Sequence, residues 1–105
     1  MSLDIKSYDN EDARKWILEP KGDIDIASAT QLKETLGNLL EKKAQDILLD
    51  FRQLDYIDST GLGIIIGAHG KMKESGNRIT IINPKANIQK LLVITGLDKI
   101  FIDLS

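Results

Sequence analysis

The segment richest in chemistry is Tyr56-Ile-Asp-Ser-Thr-Gly-Leu-Gly-Ile-Ile-Ile-Gly-Ala-His-Gly70. Asp58, Ser59 and Thr60 are three good N-cap residues in a row, standing where a loop enters an apolar helical pattern. A hydroxyl at a helix N-terminus has a specific opportunity. The first amide N–H groups lack intrahelical partners, and the helix dipole favours negative charge there. A phosphate on Ser59 would find donors already in place. The plain alternative is that Ser59 or Asp58 simply caps the helix, a far commoner use of these residues. Gly61, Gly63, Gly67 and Gly70 follow inside the same helical stretch, each costing about 0.5–1 kcal/mol relative to alanine. Gly67 and Gly70 are expected to pack closely on a sheet, whereas for Gly61 and Gly63, in the first turn, close packing and access by a partner to the helix start both stay open.

Other chemistries fail on spacing. Gly61, Gly63 and Gly67 resemble a dinucleotide fingerprint, but the last interval is one residue too long. No Gly-Lys-Ser/Thr phosphate loop is present. Ser59-Thr60-Gly61 matches half of a nucleophile elbow, yet Ile57 stands where its first glycine belongs. The single histidine, His69, lies on the same helix, roughly 15 Å from Ser59 at helical rise. It falls on the apolar stripe and reads as a core-edge residue. No catalytic residue is expected, and neither a cofactor nor a metal.

Composition narrows the class further. The chain has 105 residues, 42% of them hydrophobic, with 14 basic and 16 acidic side chains. One domain, 1–105, is expected. A net charge of −2 lacks the basic excess of a nucleic-acid binder. The absence of cysteine excludes disulfides and thiolate sites. No apolar run approaches the ~20 residues of a membrane span. A cytoplasmic, monomeric protein that touches neither nucleic acid nor membrane is the expectation.

The elements that must position the segment follow from periodicity. Leu3–Tyr8 and Trp16–Glu19 read as a hairpin turning at Asn10–Asp12, the second strand closed by Pro20 and Gly22. Ser28–Ala44 reads as a helix, with Ser28 and Gln31 at capping-box spacing. Ile47–Phe51 reads as a buried strand and Arg52–Asp58 as a loop. Ser59–Ser75 reads as a helix with Leu62, Ile65, Ile66, His69 and Met72 on one face. A strand at Arg78–Ile82 and a helix at Ala86–Thr95 follow, the latter ended by Gly96 and Leu97. Ile100–Leu104 is left as a short strand or helical turn. The fold class is α/β: a small single-domain mixed β-sheet, an antiparallel hairpin plus parallel βαβ units, with helices mainly on one face. Asp23 and Asp25 fall between the second strand and first helix. They suit a turn, and equally a polar loop beside Ser59. Ile24 and Ile26 interleave them and are available either to the core or to a partner.

Three motifs, and a pattern covering essentially the whole chain, resemble a STAS domain of the bacterial anti-sigma factor antagonists. They are Gly22-Asp-Ile-Asp25, Asp58-Ser-Thr-Gly-Leu-Gly63, and Leu91-Leu-Val-Ile-Thr-Gly-Leu-Asp98 followed by Phe101. The second is the most specific. The resemblance implies a STAS-like fold and a binding regulator of transcription, not an enzyme. It implies that Ser59 is phosphorylated by a partner that is both anti-sigma factor and serine protein kinase. The unphosphorylated form would bind that partner and free the sigma factor. A serine phosphatase would reverse the modification. Asp23, Ile24, Asp25, Asp58, Thr60, Gly61, Leu62 and Gly63 are then the expected partner-binding residues. The competing implication is a STAS-type accessory subunit of a transporter or signalling scaffold.

Overall fold

The computed structural model describes residues 2–102. Strand β1 (Leu3–Asn10) pairs antiparallel with β2 (Lys15–Ile24) around a turn at residues 11–14. Asn10 Oδ1 accepts the Ala13 amide at 3.2 Å, and Arg14 takes a positive φ of 57°. The turn thus falls slightly later than expected.

The second strand does not stop at Pro20. It runs ten residues and carries two parallel partners in succession. Its first half, Lys15–Leu18, pairs with β3 (Asp46–Asp50). Its last residues, Gly22–Ile24, pair with β4 (Leu54–Ile57). Pro20 sits between the two. The Gly22 amide points to the β3–β4 side, donating to the Gln53 carbonyl at 3.2 Å. Strand alternation aims the nitrogen of Pro20 to that same side, where no strand pairs with it. The missing N–H therefore costs no ladder bond. Gly22 has φ +106°, and a Cβ there would collide with the Ser2 carbonyl, so this position needs glycine. The stretch expected as a loop, Arg52–Asp58, accordingly contains β4.

Helix α1 (Ala29–Lys42) joins β2 to β3. Leu32, Leu36 and Leu39 are buried along one stripe, Leu40 is half-buried, and Ala44 lies exposed beyond the helix. The capping box does not form. Ser28 makes no side-chain cap bond, and Gln31 instead donates to the Leu3 carbonyl at 2.9 Å. Helix α2 (Ser59–Glu74) joins β4 to β5 (Ile79–Ile82), which lies beside β3. Helix α3 is Ala86–Thr95, with Gly96 left-handed at its C-cap, and α4 is Asp98–Phe101. Residues 103–104 of the expected terminal element lie outside the described residues.

The main sheet order is β1-β2-β3-β5, with β4 on β2 beyond the end of β3. Trp16, Leu18, Ile47, Leu49, Ile79 and Ile81 face the helices and are buried. Leu62, Ile65 and Met72 of α2 meet them, with Ile88, Leu92 and Phe101 from the last two helices. The other sheet face carries half-exposed Leu48, Thr80 and Ile82 beside exposed Tyr8. Ile66, expected on the buried stripe of α2, is 45% exposed. No helix among the described residues is long and apolar enough to cross a membrane.

Candidate functional site

The parallel pairing of β2 with β4 brings two loops together. Ile24 stands beside Ile57 in register, and the Asp58 amide donates to the Ile24 carbonyl at 3.1 Å. Residues 25–28 and the start of α2 thus leave neighbouring strands at one end of the sheet. Carboxyl ends of parallel strands are where such folds present their functional loops.

Asp58 is the N-cap. Its backbone is extended, and its Oδ1 accepts the Gly61 amide at 3.1 Å. Ser59 is therefore the first helical residue, not the cap. Its side chain and that of Thr60 are exposed, and neither hydroxyl bonds to another described residue. The orphan amides of the first turn surround them.

Gly61 shows why the second loop sits so close. A Cβ there would lie 2.5 Å from Ile24 Cγ2 and 2.9 Å from Ile57 Cγ1. Real Cβ atoms do not approach that closely, so α2 rests on the ends of β2 and β4 through a bare backbone. Gly63 has open space where a side chain would go, in keeping with access to the helix start, but Gly67 and Gly70, expected to pack closely, are open as well.

The first loop is a polar turn. Asp25 Oδ1 accepts the Ala27 amide and the Ser28 amide, each at 3.0 Å. The Ser28 hydroxyl accepts the Asp25 amide at 2.9 Å and donates to the Asp23 carbonyl at 2.8 Å, with Asp25 Oδ1 a second acceptor at 3.1 Å. The Ser28 amide, the Ser28 hydroxyl and the Ala27 amide hold the Asp25 carboxyl below its ordinary pKa. Asp25 is thus an ionised turn residue on the same end of the sheet as Ser59.

The expected partner-binding residues divide into two groups. Asp25, Asp58, Thr60 and Gly63 reach the surface. Asp23, Ile24, Gly61 and Leu62 are buried, with Ile24 fully so. These four lie beneath the surface: Ile24 and Leu62 join the core, Gly61 rests against Ile24, and the buried Asp23 accepts the Ser28 hydroxyl at its carbonyl. Two apolar residues are exposed beside them: Ile26, left open between core and partner, and Ile66, expected on the buried stripe. Ile26 is 78% exposed on the Asp25 turn. Ile66 lies seven residues after Ser59, two helical turns along the same flank, a spacing that was readable in advance.

His69 is engaged elsewhere. Its Nδ1 accepts the Ile79 amide at 3.1 Å, and its ring meets Phe101 edge-on at 5.1 Å. Burial, then the charges of Lys73 and Arg78, hold its pKa below the ordinary value.

The sequence profile of the STAS domain matches residues 4–105. The chain belongs to the STAS domain family. The anti-sigma-B factor antagonist of Bacillus subtilis (strain 168) is 33% identical over 105 residues, covering all of this chain and 91% of that one. The solved structure of the Thermotoga maritima protein TM1081 superimposes with a TM-score of 0.84 at 25% identity, over 93% of this chain and 83% of that one. The Bacillus anti-sigma factor antagonist SpoIIAA matches in its unphosphorylated form with a TM-score of 0.82, over 97% of this chain and 89% of that one. Its phosphorylated form matches with a TM-score of 0.74, over 97% and 92%. At 18% identity these two show a shared fold. The names describe binding regulators, not enzymes.

Proposed function

We propose that this STAS domain is an anti-sigma factor antagonist switched by phosphorylation of Ser59. The unmodified form binds an anti-sigma factor that is also a serine kinase and thereby releases a sigma factor. The phosphorylated form lets go, and a serine phosphatase restores it. The observation that carries the reading is the exposed Ser59 hydroxyl at the first position of a 16-residue helix whose cap is supplied by Asp58 instead. The names of the relatives support the partner class. The partner surface comprises Ser59, Thr60, Gly63, the Asp25 turn with Ile26, and Ile66. Asp23, Ile24, Gly61 and Leu62 position it from beneath.

The switch acts locally. Phosphate adds about −1.5 to −2 charge at neutral pH. At a helix N-terminus that charge is tolerated or mildly favourable, by about 0.3–1 kcal/mol. Asp58 and Asp25 oppose it. The domain therefore keeps its fold while an interface shaped around a neutral serine is disrupted. Burying an unpaired phosphate there costs several kcal/mol, and every ~1.4 kcal/mol is tenfold in affinity.

Incubation with the cognate kinase and ATP, followed by mass spectrometric mapping, tests the assignment. Phosphate on Ser59, absent in Ser59→Ala, is expected. Phosphate on Thr60, or undiminished labelling of Ser59→Ala, would refute it.

A further inference from the structure

Helices α1 and α2 run in the same direction, each from the end of one parallel strand back to the start of the next. Between them lies a groove of about 760 Å³, within the range of small-molecule sites. Its floor is apolar: Leu36 and Leu40 from α1, Ile64 and Met72 from α2. The space exists because Gly37, Gly63 and Gly67 line it and no atom approaches where their side chains would be. Each glycine weakens its helix, and packing inside the molecule offers no return for any of the three.

The charges on the walls are uneven. Lys33 and Lys71 line the groove against the single carboxylate of Glu41, and none of the three is in a salt bridge among the described residues. The shared helix direction puts Glu41 and Lys71 towards one end. Lys33 is left at the other, beside Thr60. The site thus offers an uncompensated cation at the head of an apolar trough. From Thr60 to Lys71 along α2 the trough runs about 16 Å at helical rise, the extended length of about twelve carbons. An α-helix about 10 Å across and equally long would fill over ~1,000 Å³, more than the groove holds.

We propose that the α1–α2 groove binds an anionic amphiphile, a medium- to long-chain aliphatic carboxylate, with its head at Lys33 and its chain along the floor. The head would then lie beside Thr60, next in sequence to Ser59. Binding itself does not depend on phosphorylation.

Calorimetric titration with sodium dodecanoate below its micelle concentration tests this, with butyrate and dodecanol as probes of the chain and the charge. Saturable 1:1 binding of dodecanoate is expected, with both other probes weaker by about tenfold or more. Gly67→Leu fills the trough with a better helix former, so it should melt no lower than wild type and lose at least about tenfold in affinity. Lys33→Glu should weaken dodecanoate but not dodecanol. No saturable binding, equal binding by a folded Gly67→Leu protein, or equal binding of dodecanoate by Lys33→Glu would overturn the proposal. So would sedimentation showing a dimer that Gly67→Leu abolishes, since a second copy would then occupy the groove.

Discussion

At the end of the sheet where β2 and β3 begin, polar side chains are tied to one another. Asp9 accepts from Lys43 and from Gln45, both at 2.7 Å, and Trp16 Nε1 donates to the Lys43 carbonyl at 2.9 Å. The Arg78 amide donates to Asp46 at 3.0 Å. At the opposite end, the Ser59 and Thr60 hydroxyls have no partner among the described residues, and Ile26 stands in solvent. Polar groups around Ser59 bond backbone inside the Asp25 turn and the Asp58 cap, shaping loops without covering them, while farther along this end Lys85 and Asn87 tie the start of α3 to Asp55 of β4. One end fastens hairpin, helix and strand to each other. The other end is shaped and left open, as expected of a surface completed by a partner.

Substitutions should therefore separate by end, and the largest effect belongs to the one residue that serves both fold and site. Gly61→Val should cost about 2–3 kcal/mol in chemical denaturation, because the new side chain displaces Ile24 and Ile57. It should weaken partner binding as well, since Ile24 anchors the Asp25 turn. Unchanged stability would mean that the close approach is not tight in solution. Next comes Ser59→Asp, which supplies part of the phosphate's charge. About tenfold weaker partner binding, ~1.4 kcal/mol, is expected with the melting temperature nearly unchanged. A melting shift without a binding loss would reverse the comparison. Trp16→Phe removes the bond to the Lys43 carbonyl at the fastened end. It should cost about 1 kcal/mol of stability and leave partner affinity intact.

The smallest effect is pH-linked. Only neutral His69 can accept the Ile79 amide at Nδ1, and its folded pKa lies below the ordinary ~6.5. Its contribution is fully present above pH ~6.5 and is lost as pH falls from there through the folded value. Asp9 and Asp25, also held below their ordinary values, act lower, under pH ~4. Melting between pH 7 and pH 5 should fall more steeply for wild type than for His69→Gln, whose amide oxygen accepts without titrating. Equal slopes would remove His69 from the account.

Much of this was legible in the sequence. Period-two and period-three-to-four patterns marked the hairpin, three helices and two buried strands, and Asp58-Ser-Thr marked a helix start. Strand β4 was not legible because Leu54 and Ile57, its buried residues, stand three apart and carry no strand alternation. Its pairing exists only because β2 continues past Pro20, a decision made by which side the missing amide faces. Ser28 and Gln31 had the right spacing for a capping box, but the loop claimed the hydroxyl and Leu3 the amide. Close packing was expected of Gly67 and Gly70 and is found at Gly61, because spacing along one helix does not reveal what packs across from it.

The central claim is that Ser59 switches binding at the open end while the fastened end stays as it is. Paired measurement on the unmodified and Ser59-phosphorylated protein tests it most directly, combining affinity for the cognate anti-sigma kinase with amide chemical shifts of the free domain. A loss of affinity of about a hundredfold or more is expected, with shift changes confined to the start of α2 and the Asp25 turn. Equal affinity of the two forms, or shifts spread through β1 and the Trp16 end of β2, would contradict it.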